Sequence, residues 1–266
     1  MTDKMDGVDS TDATPSAKAR AHAHGLTAPQ RGDTPPARQR WRESLELIAR
    51  HVLFSRRRLK AGQTVQAAGA SFSCVHIVNL GACKSVNLSN KGREQVAGLH
   101  FRGDWIGFDC IAAKHCVCDV YAMDTSEVWS VPYAALLKAG ATVPALMAAV
   151  QAAMSEQLAR QRDWRLSLGI LSADARVADF LLAWAVSLAE RDLRNDQVTL
   201  RMKRAEIGSY LGMVLETVSR AFSELARCGL IRFDETDRRT IAIPSVRARA
   251  EFAGTAIDAP TGRRLQ

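Results

Sequence analysis

The sequence predicts an α+β fold in three parts: a small antiparallel β-barrel or jelly roll, one long helix and a C-terminal winged helix-turn-helix. Three observations carry this expectation. Short β-prone runs alternate with turn signals between about Leu59 and Pro132. The stretch from Val143 to Leu168 has no glycine, and no proline after Pro144. Two helical patterns meet at Gly212. A chain of 266 residues has room for two domains and tails.

Residues 1–38 hold four of the eight prolines and show no apolar period, so they are expected to be disordered, as is the tail over 246–266. His22 and His24 lie in that first segment, where two histidines do not make a specific metal site. The barrel unit is assigned to 39–142 and opens with a short helix over Leu45 to Val52. Its strands are Val75 to Leu80, Lys84 to Leu88, Gln95 to His100, Val120 to Met123 and Val128 to Val131. Turns lie between them at Gly81, at Asn90-Lys91-Gly92 and at Arg102-Gly103-Asp104.

The long helix is assigned to 143–170, with Pro144 suited to its first turn. Leu146, Val150, Met154, Leu158 and Gln161 step by three or four, the spacing of a narrow seam that suits a parallel homodimer. The alternative is that this stripe packs only on its own barrel. A second helix from Ala173 to Arg191 opens the winged unit assigned to 171–245.

Within that unit, Arg204 to Gly212 and Met213 to Gly229 read as two helices joined at a glycine turn. Gly208 permits close approach of the helices, Gly212 the positive φ of the turn, and Val218 fills the wedge between them. Ile207, Leu211, Val218, Phe222 and Leu225 supply the core, which leaves Glu216, Thr217, Ser219, Arg220 and Ser223 outside near the start of the second helix. Arginine can donate twice to guanine, glutamate can accept from cytosine N4, and serine can do either, so Glu216, Ser219 and Arg220 are the candidate base readers. A plain surface pair between Glu216 and Arg220 is the alternative. Thr217, Arg201, Lys203 and Arg204 are candidates for supporting or phosphate contacts, as are Arg227, Arg232, Arg238 and Arg239. Leu230 to Pro244, with Asp234 to Asp237 at its middle, reads as the hairpin wing.

A balance of 36 Lys and Arg against 28 Asp and Glu, net +8, favours a polyanionic partner such as double-stranded DNA. Apolar stretches are too short for a membrane span and the N-terminus lacks a secretory signal, so a cytoplasmic protein with no membrane partner is expected. No catalytic arrangement emerges, and the protein is expected not to be an enzyme. Cys74, Cys83, Cys110, Cys116, Cys118 and Cys228 do not resemble a disulfide framework. Cys110, Cys116 and Cys118, with His115 nearby, and Cys228 at the end of the second helix are candidate redox thiols. Their spacing matches no standard metal motif, and no metal site is assigned.

Between about Lys60 and Pro244, the segments KAGQTVQAAG, NLGACKSVNLSNKGREQVAGLHFRGDWIGFDCI, MSEQLARQRDW and EIGSYLGMVLETVSRAFSELARCGLI make this sequence similar to CRP/FNR-type bacterial regulators, and to their FNR-like branch. The resemblance implies a cyclic-nucleotide-binding-like jelly roll, a dimerisation helix and a Crp-type helix-turn-helix. It also implies a homodimeric transcription activator whose Glu216, Ser219 and Arg220 read TTGAT-N4-ATCAA palindromes controlling anaerobic or redox-related genes, with half-sites about 34 Å apart. It further implies that Gly107, Phe108 and Asp109 contact RNA polymerase.

Four departures stand out. FNR-like cluster binders need N-terminal cysteines and one in the barrel. Here residues 1–73 have none and Trp129 occupies the barrel position, so the iron-sulfur cluster is not expected. The segment GDWIGFDCIAAKHCVCDVY has no Arg for a nucleotide phosphate, so cAMP is not expected either, and no cofactor is assigned. Val214 stands where the resemblance implies a Ser or Thr cap, and Gln161 gives an uncharged seam that avoids like-charge repulsion between two copies. Two further function classes remain as alternatives: a thiol, metal or haem redox sensor in which barrel cysteines gate DNA binding, and a ligand-binding module without sequence-specific DNA binding.

Overall fold

Eight short antiparallel strands fold over residues 55–132 because turns interrupt the chain before any run grows long enough for a helix. They are β1 (Ser55–Leu59), β2 (Thr64–Gln66), β3 (Cys74–Leu80), β4 (Cys83–Leu88), β5 (Glu94–His100), β6 (Trp105–Ile106), β7 (Asp119–Ala122) and β8 (Ser126–Pro132). This computed structural model describes residues 37–243 apart from 90, 91, 190, 192 and 238, all within one compact unit. The expected tail over 246–266, His22, His24, Arg238 and most of the tail over 1–38 lie outside the described residues. Its last two residues do not, since helix α1 (Ala37–His51) begins there. This helix is longer than the Leu45 to Val52 expected, and Leu45, Ile48 and Val52 bury their side chains beside the barrel.

The strands form two four-stranded sheets in the orders β1-β8-β3-β6 and β2-β7-β4-β5, a jelly roll with its core between them. The five strands expected from the sequence are present within a residue or two. β1, β2 and β6 were not legible. β1 carries Arg56, Arg57 and Arg58 and has no apolar alternation, yet Arg57 donates to the Val65 and Thr64 carbonyls of β2 at 2.8 and 3.0 Å, so the arginine straps one strand to the next. A short helix α2 (Cys110–Ala113) also went unread.

After α3 (Tyr133–Thr142), the long helix α4 (Pro144–Ile170) starts with proline in its first turn, as expected. The predicted seam divides along its length. Leu146 and Val150 are buried in the protein's own core with α1 and the barrel, and Met154 packs half-buried against the same cluster. These three belong to the intramolecular core, a correction to the continuous seam. The cause is α1, which covers the first half of α4 and is tied to it by an Arg40–Glu156 ion pair at 2.6 Å. Leu158, 66% exposed, and Gln161 remain open.

The C-terminal part comprises α5 (Ala173–Ala189), β9 (Gln197–Thr199), α6 (Arg204–Leu211), α7 (Leu215–Arg227), β10 (Arg232–Phe233) and β11 (Thr240–Ala242). The wing is a three-stranded sheet in the order β10-β11-β9, because β9, unread in the sequence, pairs with β11. At its tip the Asp234 carboxylate accepts from the backbone N–H of Thr236 and of Asp237, closing the turn expected over Asp234 to Asp237.

Candidate nucleic-acid interface

Helix α6 is capped by Gly212 at φ +63°, ψ +36°, and α7 begins three residues later, at Leu215. A Cβ on Gly208 would lie 2.6 Å from the Met213 carbonyl oxygen and 3.3 Å from Val218 Cγ2, so only glycine lets the two helices approach this closely. Val218 is fully buried in that wedge, and Ala221, Phe222 and Leu225 continue the buried side of α7. The 3.6-residue period then leaves Glu216, Ser219, Arg220 and Ser223 exposed together, with Thr217 half-buried beside them.

Arg220 Nη2 lies 3.4 Å from Thr217 Oγ1, at the outer limit of a hydrogen bond, and among the described residues no ion pair joins Glu216 to Arg220. The surface pair weighed as an alternative is therefore not formed, and the Arg220 guanidinium faces solvent beside the two other candidate readers. Sequence reasoning missed Asp174, in the first turn of α5, which lines the same groove as Thr217, Ser219 and Arg220. Burial, then the nearby Glu224, push its carboxyl above the usual range, while Arg220 opposes that shift. The Ser172-Ala-Asp174 pattern at a helix start was the available signal. Ser172 Oγ accepts from the Ala175 N–H at 3.4 Å.

The basic residues around α7 divide by environment. Lys203 and Arg201 are exposed, Arg201 lying 3.6 Å from Asp124. Arg204, expected among the phosphate contacts, is drawn inward. Its guanidinium carbon lies 3.5 Å from the centre of the Phe222 ring, and burial lowers its pKa to about 10. It is a packing residue, a correction that sequence spacing could not supply. Arg227 is held by Glu224 at 2.6 Å, whereas Arg232 and Arg239 are exposed on the wing.

Val214 is the N-cap of α7, in extended backbone and with no side-chain cap bond. Its side chain is 64% exposed, so Val214→Thr disturbs no core packing and supplies the missing acceptor. The substitution is expected to stabilise the protein by about 0.5–1 kcal/mol. Urea unfolding checks this, and an unchanged midpoint would show that the end of α7 is satisfied by other means.

The barrel candidates are differently placed. Gly107 has φ +95°, Phe108 stacks on Trp105 with ring centres 5.3 Å apart, and Asp109 is exposed. The Asp109 carboxylate accepts from Cys110 Sγ at 3.4 Å and from Cys118 Sγ at 3.9 Å. Burial pushes Cys110 up to about 12 and Cys118 up to about 11, and it raises Cys116 as well. Exposed Cys228 is raised chiefly by its hydrogen bond to Glu224. All four candidate thiols are thus held in the protonated form, the less reactive one. Among the described residues no group of three or more His, Cys, Asp or Glu converges as a metal site. Trp129 stacks on Phe54 at 4.3 Å and donates to Glu127 at 3.1 Å.

The Crp-like helix-turn-helix domain matches residues 175–248 and the Cyclic nucleotide-binding domain residues 56–142. The transcriptional regulatory protein btr of Bordetella pertussis is 32% identical over 191 residues, 71% of this chain and 78% of that protein. The fumarate and nitrate reduction regulatory protein of Escherichia coli is 28% identical over 204 residues, 77% of this chain and 80% of that protein. The structure of FixK2 from Bradyrhizobium japonicum superimposes with a TM-score of 0.67 at 27% identity, covering 75% of this chain and 97% of that one. A glycine turn, a wedge valine and an outward polar face, in a chain this similar to such regulators along most of their length, make it a member of the CRP/FNR family of DNA-binding transcriptional regulators.

Proposed function

We propose that this regulator acts in the cytoplasm as a homodimer that binds TTGAT-N4-ATCAA palindromes, contacts RNA polymerase and controls anaerobic or redox-related genes. The observation that carries this reading is the shared exposure of Glu216, Ser219 and Arg220 on one face of α7, held outward by the Gly208–Val218 contact. Exposed Leu158 and Gln161 on α4 are the surface offered to a second copy, and the exposed Asp109 carboxylate beside Gly107 and Phe108 is the surface offered to the polymerase. The names of the relatives, with fumarate and nitrate reduction among them, support the class of genes.

The reading dispenses with an iron-sulfur cluster and with cAMP. Trp129, in the position where a barrel cysteine would be needed, has no metal-binding atom and is stacked into the core. The space between the sheets is occupied by Val65, Val78, Ile106, Cys118 and Val120, and the segment GDWIGFDCIAAKHCVCDVY supplies no arginine for a phosphate. The residues present fit neither group.

An electrophoretic shift of the purified protein on a TTGAT-N4-ATCAA duplex tests the reading, with a scrambled duplex as competitor and air-equilibrated buffer throughout. The expected preference for the palindrome is at least about a thousandfold, and affinity should fall steeply with salt as phosphate contacts release counterions. Equal affinity for both duplexes would remove the proposed site. A monomer by sedimentation at micromolar concentration would remove the dimer.

A further inference from the structure

The helix before the recognition helix is gripped from two sides by parts of the chain far away in sequence. On one side lies β5, the edge strand of its sheet, whose outer backbone groups have no neighbouring strand. Ser209 on α6 takes the place of that strand: its Oγ accepts from the Val96 N–H at 3.0 Å and faces the Glu94 carbonyl at 3.4 Å. One turn earlier, Glu206 pairs with Lys84 on β4, both side chains being largely buried, while its other carboxylate oxygen accepts from the Lys203 N–H at 2.6 Å. On the other side, Tyr210 stacks on Trp164 of α4 with ring centres 4.0 Å apart and planes 11° from parallel, and Arg176 of α5 donates to the Leu211 carbonyl at 3.4 Å.

α6 cannot shift without carrying α7, because Gly208 and Val218 leave no gap between the two helices. We propose that Ser209, together with the Lys84–Glu206 pair, is a positioning contact through which the edge of the barrel sheet fixes the recognition helix relative to α4, and so sets the half-site spacing the protein accepts. None of these three residues lies on the face that reads bases. Their chemistry is matched to orientation. A hydroxyl serving both a donor and an acceptor on one strand edge tolerates neither sliding nor rotation, and a part-buried ion pair one turn away resists the remaining twist. The inference rests on the proposed dimer and palindrome.

The test measures binding of the full-length protein to duplexes carrying the two half-sites separated by three, four or five base pairs, and to a duplex carrying one half-site. Ser209→Ala is expected to lower affinity for the four-base-pair spacing about fivefold to tenfold, leave single half-site binding unchanged, and shrink the preference for four over three or five. Ser209→Thr, which keeps the hydroxyl, should restore the unaltered pattern. Lys84→Glu, which sets two carboxylates against each other, should act like Ser209→Ala. A spacing preference that is strong in the unaltered protein and untouched in Ser209→Ala and Lys84→Glu would overturn the positioning role alone. So would an equal loss on the single half-site, which would mean that Ser209 merely holds the helix-turn-helix together. An unaltered protein that distinguishes none of the duplexes from scrambled DNA would instead overturn the proposed function, and this inference with it.

Discussion

Arg220→Ala is expected to abolish discrimination between the palindrome and scrambled DNA while leaving the protein as stable as before. A bidentate arginine–guanine contact contributes about 1–3 kcal/mol of discrimination, roughly tenfold to a hundredfold or more per half-site, and a dimer would lose it twice. Arg220 is exposed, with a marginal 3.4 Å approach to Thr217 and a solvent-screened attraction to Asp174, so its removal should change folding stability by no more than about 0.5 kcal/mol. The comparison that isolates base reading is Lys203→Ala. Taking away this exposed ammonium is expected to weaken binding to both duplexes alike and to flatten the salt dependence without altering the ratio between them. Electrophoretic shifts of both variants at two salt concentrations separate these outcomes. If Arg220→Ala held the palindrome as tightly as the unaltered protein, the assignment of α7 as reader through this residue would be wrong.

Phe222→Ala is expected to have the largest effect on stability, about 3–5 kcal/mol. The ring is 1% exposed within the cluster that joins α5, α6, α7 and the wing. Truncation leaves a cavity where the surrounding Val218, Leu225 and Ile241 are themselves fully buried and have little room to collapse inward. It also takes away the nearer of the two aromatic faces over which Arg204 lies, leaving the part-buried guanidinium only the Phe233 ring, 5.7 Å away. Urea unfolding followed by far-ultraviolet circular dichroism measures the loss, and a cost below about 1.5 kcal/mol would mean that this core is loosely packed. DNA binding should fall with the folded fraction, and discrimination per folded molecule should persist, in contrast to Arg220→Ala.

The helix-turn-helix was legible because its determinants are local. Gly208, Gly212 and Val218 each answer a backbone or packing requirement set by residues close by in the chain, so their spacing specified the turn and therefore which face of α7 points outward. The barrel's longer strands were legible for the same reason, by apolar runs ending at turns. β1, β2, β6 and β9 were not, because such short segments carry too little period and only their pairing partners define them. The arginines were the hardest to assign. In the sequence, Arg57, Arg201 and Arg204 look alike. In the fold the first straps two strands together, the second pairs with a barrel carboxylate and the third lies over an aromatic ring.

By itself, then, the sequence determined the three-part α+β architecture, the long helix after Pro144 and the outward face carrying Glu216, Ser219 and Arg220. All of these follow from periodicity and from φ/ψ limits acting within a few residues. Only the tertiary structure decided which members of a stripe are spent on the protein's own core, as Leu146 and Val150 are, and which stay exposed, as Leu158 does. It alone decided that Lys84 and Glu206, 122 positions apart, meet across the edge of β5. A side chain's direction is fixed by its own element, but its partner is fixed by how the elements pack.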